Sequence, residues 1–243
     1  MSFLHRRTLF AGCVLALGAV TSLVGPATAF AQGASTDAAS GAATQAPGAA
    51  QGADAGQGGS DVVSTTALYS PSKLGDKVLG NADAKVTVIE YASMTCPHCG
   101  DFYRTTFDKF KEKYVDSGKV KFIFREFPLD AGAYAVAMLG RCAPADKFYE
   151  IVDLYFKKQK DWVVAKDPYS AIFDMAKPYG FTKESFDACL SNQALFDGMN
   201  AEKERASQNF GVSGTPTFFI NGKRTVGEMT IEDLDKQIQP LLQ

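Results

Sequence analysis

Two cysteines flank Pro97 and His98 in the run Thr95-Cys96-Pro97-His98-Cys99-Gly100, and no other part of the sequence is better equipped for chemistry. Thiols at Cys-x-x-Cys spacing can close into a disulfide and exchange it with another protein, and the two residues between them bias which state is favoured. A thiolate attacks disulfides and a thiol barely does, so one cysteine needs a lowered pKa. Cys96 is placed for it. Pro97 suits the first turn of a helix, whose N–H groups would aim at the Cys96 sulfur, and His98 can donate to that sulfur or carry charge. The spacing predicts Cys96 as an exposed nucleophile and Cys99, one turn inside, as a shielded resolving thiol.

Competing uses of the pair fit less well. A zinc knuckle needs further ligands at matched spacing, yet there is no second Cys-x-x-Cys and the only other histidine is His5, so no metal is expected. Covalent c-type haem needs His directly after the second cysteine, where this chain has Gly100. No cofactor is expected beyond the redox-active Cys96–Cys99 disulfide itself.

A second pattern, Ser213-Gly214-Thr215-Pro216-Thr217, sets a proline just before a strand. A cis Thr215–Pro216 bond there would turn backbone groups of Thr215 toward Cys96 and offer an incoming peptide a short edge; the plainer reading is a turn proline.

The elements that must position these residues are legible from periodicity. Lys85 to Tyr91 reads as a buried strand ending just before the dithiol, and Asp101 to Val115 as a helix placing Phe102, Phe107, Phe110 and Tyr114 near one face. Val120 to Glu126 reads as the next strand, so the thiols sit at a strand's carboxyl end, where open sheets react. Helical patterns then cover Ala131–Cys142, Asp146–Gln159, Pro168–Tyr179, Thr182–Leu190 and Gln193–Phe210. That is far more chain than one crossover helix needs, so a helical subdomain interrupts a small α/β domain. The chain returns at Thr217–Ile220, turns at Asn221-Gly222 into Lys223–Val226, and ends with a helix at Ile231–Ile238 capped by Thr230. Phe122, Phe124, Phe148, Tyr149, Tyr155 and Phe156 read as core, and Lys157-Lys158-Gln159-Lys160-Asp161 as a solvated helix end.

The 243 residues are 46% hydrophobic with a formal net charge of −2, enough for a real core and without the basic excess that nucleic acid would call for. Residues 1–31 have the layout of a signal peptide: Arg6-Arg7, an apolar run from Leu9 to Phe30, and Ala27, Ala29 and Ala31 as a small-residue cleavage region. The same run is long enough to stay as an anchor. Residues 32–66, rich in Ala, Gly, Gln and Ser, read as a disordered linker, and 67–243 as the folded domain with its helical insertion at about 128–210. Export leaves Cys96, Cys99, Cys142 and Cys189 of the five cysteines in the mature chain.

Glu90-Tyr91, Cys96-Pro97-His98-Cys99, a helical excursion and Gly214-Thr215-Pro216 before a hairpin together resemble the DsbA family of thiol:disulfide oxidoreductases, over essentially the whole folded part. The resemblance implies an α/β thioredoxin fold, a central mixed sheet flanked by helices with an inserted helical subdomain. It implies a periplasmic, monomeric enzyme that donates the Cys96–Cys99 disulfide to reduced, unfolded secreted proteins and is reoxidised by a quinone-linked membrane partner. Glu90 takes the place of the family's acidic strand residue beneath the dithiol, which implies a proton relay to Cys99; the alternative is a solvent-facing Glu.

Two departures stand out. Thr215 replaces the Val of the best-known oxidases and is commoner among reductases and isomerases, which keeps that direction of electron flow open, along with a non-catalytic envelope chaperone. Cys142 and Cys189, absent from the prototype, end two helical stretches and are either a second disulfide or two small buried residues.

Overall fold

The computed structural model describes residues 63–243. The leader at 1–31 and all but the last residues of the linker expected at 32–66 lie outside the described residues, and among those described no helix is long and apolar enough to cross a membrane. The described residues open with a short helix α1 (Thr65–Tyr69), two residues ahead of the expected domain start, and a strand β1 (Lys77–Leu79). Periodicity misses both, because five and three residues are too few to show a repeat.

Strands β2 (Val86–Ala92) and β3 (Val120–Glu126) pair in parallel, and β4 (Thr217–Ile220) and β5 (Lys223–Val226) complete a mixed five-stranded sheet of order β1-β3-β2-β4-β5. β2 is central, with Glu90 between Phe124 of β3 and Phe218 of β4, and all seven of its residues are buried. Both its faces are covered, so its sequence shows no alternation. Val86, Val88 and Ala92 join the cluster that holds both thiols, whereas Ile89 and Tyr91 join the opposite one. Asn221 and Gly222 turn β4 into β5 with φ of 46° and 87°, the left-handed pair a two-residue hairpin needs.

Helix α2 (Pro97–Phe102) starts at the dithiol and runs on through α3 (Asp108–Phe110), with π-helical turns at Tyr103–Phe107 and Lys111–Val115. The wide turns absorb the five-residue step from Phe102 to Phe107, so both rings face the sheet and are buried. The insertion comprises α4 (Ala131–Cys142), α5 (Phe148–Lys157), α6 (Gln159–Val163), α7 (Pro168–Ala176) and α8 (Lys183–Leu190). The continuous helix expected over 146–159 is broken at Lys158, whose φ and ψ of −99° and 17° leave the helical range. The break swings Gln159 inward: it is 5% exposed, not the solvated helix-end residue its lysine neighbours suggest.

Helix α9 (Gln193–Phe210) returns over the second face of the sheet, where Ala206 and Phe210 pack with Leu68 of α1 and Phe219 of β4. Beneath it Arg125 pairs with Asp76 at 2.9 Å and donates to the Tyr91 hydroxyl at 2.8 Å. The closing helix α10 (Ile231–Ile238) carries a Thr230/Asp233 capping box.

Cys142 and Cys189 form a disulfide, Cα atoms 6.0 Å apart, tying the end of α4 to the end of α8 across 47 residues. Closing a loop of that length restricts the unfolded chain by about 4 kcal/mol. Replacing both cysteines with Ser is expected to lower unfolding free energy by roughly that much in denaturant titration; an unchanged midpoint and slope would remove the bond from the stability balance.

Candidate active site

The loop from β2 to α2 is held from several sides. Cys96 N–H donates to the Ser93 carbonyl at 3.0 Å, and Leu129 N–H donates to Ser93 Oγ at 3.2 Å. Thr95 Oγ1 donates to Asp130, which also caps α4. From α6, Gln159 Nε2 donates to the carbonyls of Met94 at 2.9 Å and Cys96 at 2.8 Å. Cys96 is the N-cap of α2 and Pro97 its first residue.

Cys96 and Cys99 are not bonded to each other in this structure. Contrary to the sequence expectation of an exposed nucleophile, Cys96 is only 6% exposed. The loop before β4 covers it: the Thr215–Pro216 bond is cis, and Cys96 Sγ donates to the Thr215 carbonyl at 3.2 Å. Pro97 and His98 are the exposed members of the tetrapeptide, and Cys99 is completely buried. The sequence thus brings Cys96, Cys99, Thr215 and Pro216 together, while Cys142 and Cys189 lie apart in the insertion.

Electrostatics separates the two thiols. Cys96 is drawn down to about 5, first by the Cys99 thiol donating to its sulfur, against burial, with help from the Thr215 side chain and the backbone N–H groups of Cys99 and His98. The Thr215 hydroxyl is buried without a partner while Cys96 keeps its proton, and so has a donor to give when the thiolate forms. Cys99 goes the other way, held well above the usual thiol range by burial and by serving as donor to Cys96. One thiol is ready to ionise at neutral pH and its neighbour is kept protonated.

Glu90 lies under this pair, fully buried, so the solvent-facing alternative does not apply. Burial pushes its carboxyl up to about 8, partly offset by a hydrogen bond from Tyr103 Oη to Oε2 at 3.1 Å and reinforced by the charge of Cys96; Oε1 has no partner. The folded state therefore keeps this proton between pH 4.5 and 8 while the unfolded chain loses it, so stability falls as pH rises through that window. Glu90→Gln is expected to stabilise the protein by about 3 kcal/mol at pH 7 and by next to nothing at pH 4, read from urea unfolding. An equal gain at both pH values would show that the buried carboxyl is not the source.

Tyr103 and Gln159 escaped sequence reasoning. Tyr103 stands four, seven and eleven residues before Phe107, Phe110 and Tyr114, on the face those three share, so the periodicity carries its signal; it stacks on Phe107 and Phe156 at 4.4 and 4.3 Å. His98, Asp101 and Glu228 each bring a ligand atom within 4.8 Å of the others at the rim and are the one grouping of this kind among the described residues; His98 and Glu228 are exposed.

A cysteine pair at the carboxyl end of the central strand of such a sheet, with a helical subdomain folded beside it, is the architecture of the thioredoxin-fold disulfide exchange proteins. The chain belongs to the thioredoxin family whose model matches residues 72–240, and it is similar to disulfide oxidoreductases and to DsbA structures. The crystal structure of Wolbachia pipientis alpha-DsbA1 superposes with a TM-score of 0.68 at 29% identity, covering 73% of this chain and 96% of that one. Disulfide bond formation protein D of Bacillus subtilis is 29% identical over 68% of this chain and 74% of its own length. A Rickettsia bellii protein with the provisional name protein-disulfide oxidoreductase is 34% identical over 62% of this chain. The match spans 58% of that relative's length.

Proposed function

We propose that this chain is an exported thiol:disulfide oxidase that introduces disulfides into reduced secreted proteins, with Cys96 as nucleophile, Cys99 as resolving thiol and Thr215-Pro216 as the edge on which substrate backbone docks. The observation that carries the reading is the split between the two thiols, Cys96 drawn down to about 5 and Cys99 held well above its usual range. A stable thiolate favours the dithiol state, so the disulfide form is the one with free energy to pass on. The leader and linker read from the sequence support a periplasmic location, with tethering by an uncleaved leader as its variant. The partner arrangement proposed with it is a monomer reoxidised by a quinone-linked membrane protein, as the family resemblance implies.

The test is the equilibrium potential of Cys96–Cys99 against glutathione. DsbA, at about −120 mV, lies about 7 kcal/mol from thioredoxin at about −270 mV. A value on the oxidising side of glutathione supports the oxidase. A value near thioredoxin's overturns it in favour of the reductase or isomerase direction that Thr215 leaves open.

A further inference from the structure

We propose that Gln159 is a positioning residue for the redox centre, a buried amide through which the helical subdomain holds the dithiol loop in the geometry that exchange requires. The proposal rests on reading Cys96 as the nucleophile. Gln159 begins α6, is 5% exposed, and its Nε2 donates to two carbonyls that flank Thr95, those of Met94 and Cys96. These contacts cross 65 and 63 residues of chain, so they join the insertion to the loop and not one turn to the next. The helix break at Lys158 delivers the side chain inward, and a buried amide with both donor bonds on one loop is costly to leave unpaired.

Gly100 supplies the complementary surface. A Cβ at that position would come within 2.6 Å of Gln159 Oε1 and 2.8 Å of Arg104 Nη1, closer than real contacts allow. Glycine inside a helix is otherwise unfavourable, and here it leaves the space the amide occupies. Arg104 makes a second tie from the same helical run, donating to the Phe156 carbonyl of α5 at 3.2 Å.

The groups that set the charge of Cys96 lie elsewhere around it. Cys99 and the backbone of His98 face it from α2, Thr215 from the loop before β4, and Glu90 from β2. Gln159 is neutral and acts through the backbone: by fixing the Cys96 carbonyl it keeps the N–H groups of His98 and Cys99 aimed at the sulfur. With the loop released those hydrogen bonds lengthen and the thiolate loses support.

The experiment follows Cys96 alkylation by iodoacetamide against pH in the reduced full-length protein, with unfolding of the oxidised form measured alongside. Gln159→Met keeps the volume and removes both donors. It is expected to raise the alkylation midpoint by about one pH unit, tenfold in the thiolate equilibrium, and to move the potential toward glutathione. Gly100→Ala leaves the amide in the sequence but pushes it aside, so it should raise the midpoint likewise and add little in the Gln159→Met background. A lowered unfolding midpoint with an unmoved alkylation midpoint in both single variants overturns the proposal and leaves Gln159 a packing residue. Should Gln159→Met not fold, Gly100→Ala alone decides by the same readout. A wild-type Cys96 that titrates as an ordinary thiol would count against the nucleophile reading, an outcome separate from any effect of Gln159.

Discussion

Replacing Cys96 with Ser is expected to lower the rate at which this protein oxidises a reduced, unfolded substrate by at least about 10³-fold. In the oxidation proposed for it, a substrate thiolate attacks Cys96 of the Cys96–Cys99 disulfide, and the bond's other sulfur leaves as Cys99, which takes up a proton. A second substrate thiolate then attacks the substrate sulfur of the mixed disulfide, releasing Cys96 as thiolate. The low pKa of Cys96, about 5, makes it the better leaving group in that second step, and the complete burial of Cys99 keeps it from being attacked first. Serine supplies neither a disulfide partner nor a comparable leaving group.

Cys99→Ser should fail differently. Its Cys96 thiolate can attack a disulfide of an oxidised substrate, releasing one substrate thiolate and forming a mixed disulfide that no Cys99 thiol is present to resolve, so with oxidised substrate covalent adducts should accumulate and be released by dithiothreitol. Mass spectrometry of non-reduced mixtures distinguishes the two variants. Substantial oxidase turnover by Cys96→Ser would remove the assignment, and would instead suit an envelope binding protein whose thiols serve structure.

The sequence shows the dithiol, the strand before it and the Thr-Pro loop because their signals are local: two thiols at fixed spacing, a β-branched run, and a proline ahead of a strand. What it hides depends on packing between distant segments. Gln159 sits in a run of lysines and looks solvated; only the bend at Lys158 turns it to the Cys96 carbonyl, and no residue type there announces a break. The face occupied by Glu90 is equally silent, since a central strand covered on both sides carries apolar residues at every other position and between them. Cys96 looked open for a comparable reason. The loop that covers it arrives from 119 residues further on.

The same electrostatics predicts that reduction stabilises the fold, which reverses the usual effect of breaking a disulfide. Ionisation of Cys96 contributes only in the dithiol form, because a bonded sulfur has no proton to lose. Its pKa falls from about 9 in an unfolded chain to about 5 in the folded one, so the stabilisation is fully present above pH 9 and is lost as pH falls through 5. The lowering corresponds to about 3 kcal/mol at pH 7 and approaches about 5 kcal/mol near pH 9. The cost of burying Glu90 is common to both redox states and largely cancels in the comparison, and at pH 7 its carboxyl is mostly protonated, so it repels the thiolate little. Cys99 stays protonated throughout this range and adds no opposing charge. Closing the short Cys96–Cys99 loop restricts the unfolded oxidised chain by about 2 kcal/mol at every pH, so guanidinium unfolding of the two forms should show the reduced protein ahead at pH 7, with about 3 kcal/mol of difference opening in its favour between pH 4 and pH 7. At 30 mV per 1.4 kcal/mol that difference supplies about 60 mV of oxidising power, less than half of the roughly 150 mV between thioredoxin and DsbA. A gap independent of pH would trace the oxidising power to strain in the disulfide state and not to the thiolate. A gap of opposite sign at pH 7 would make this dithiol a reductant.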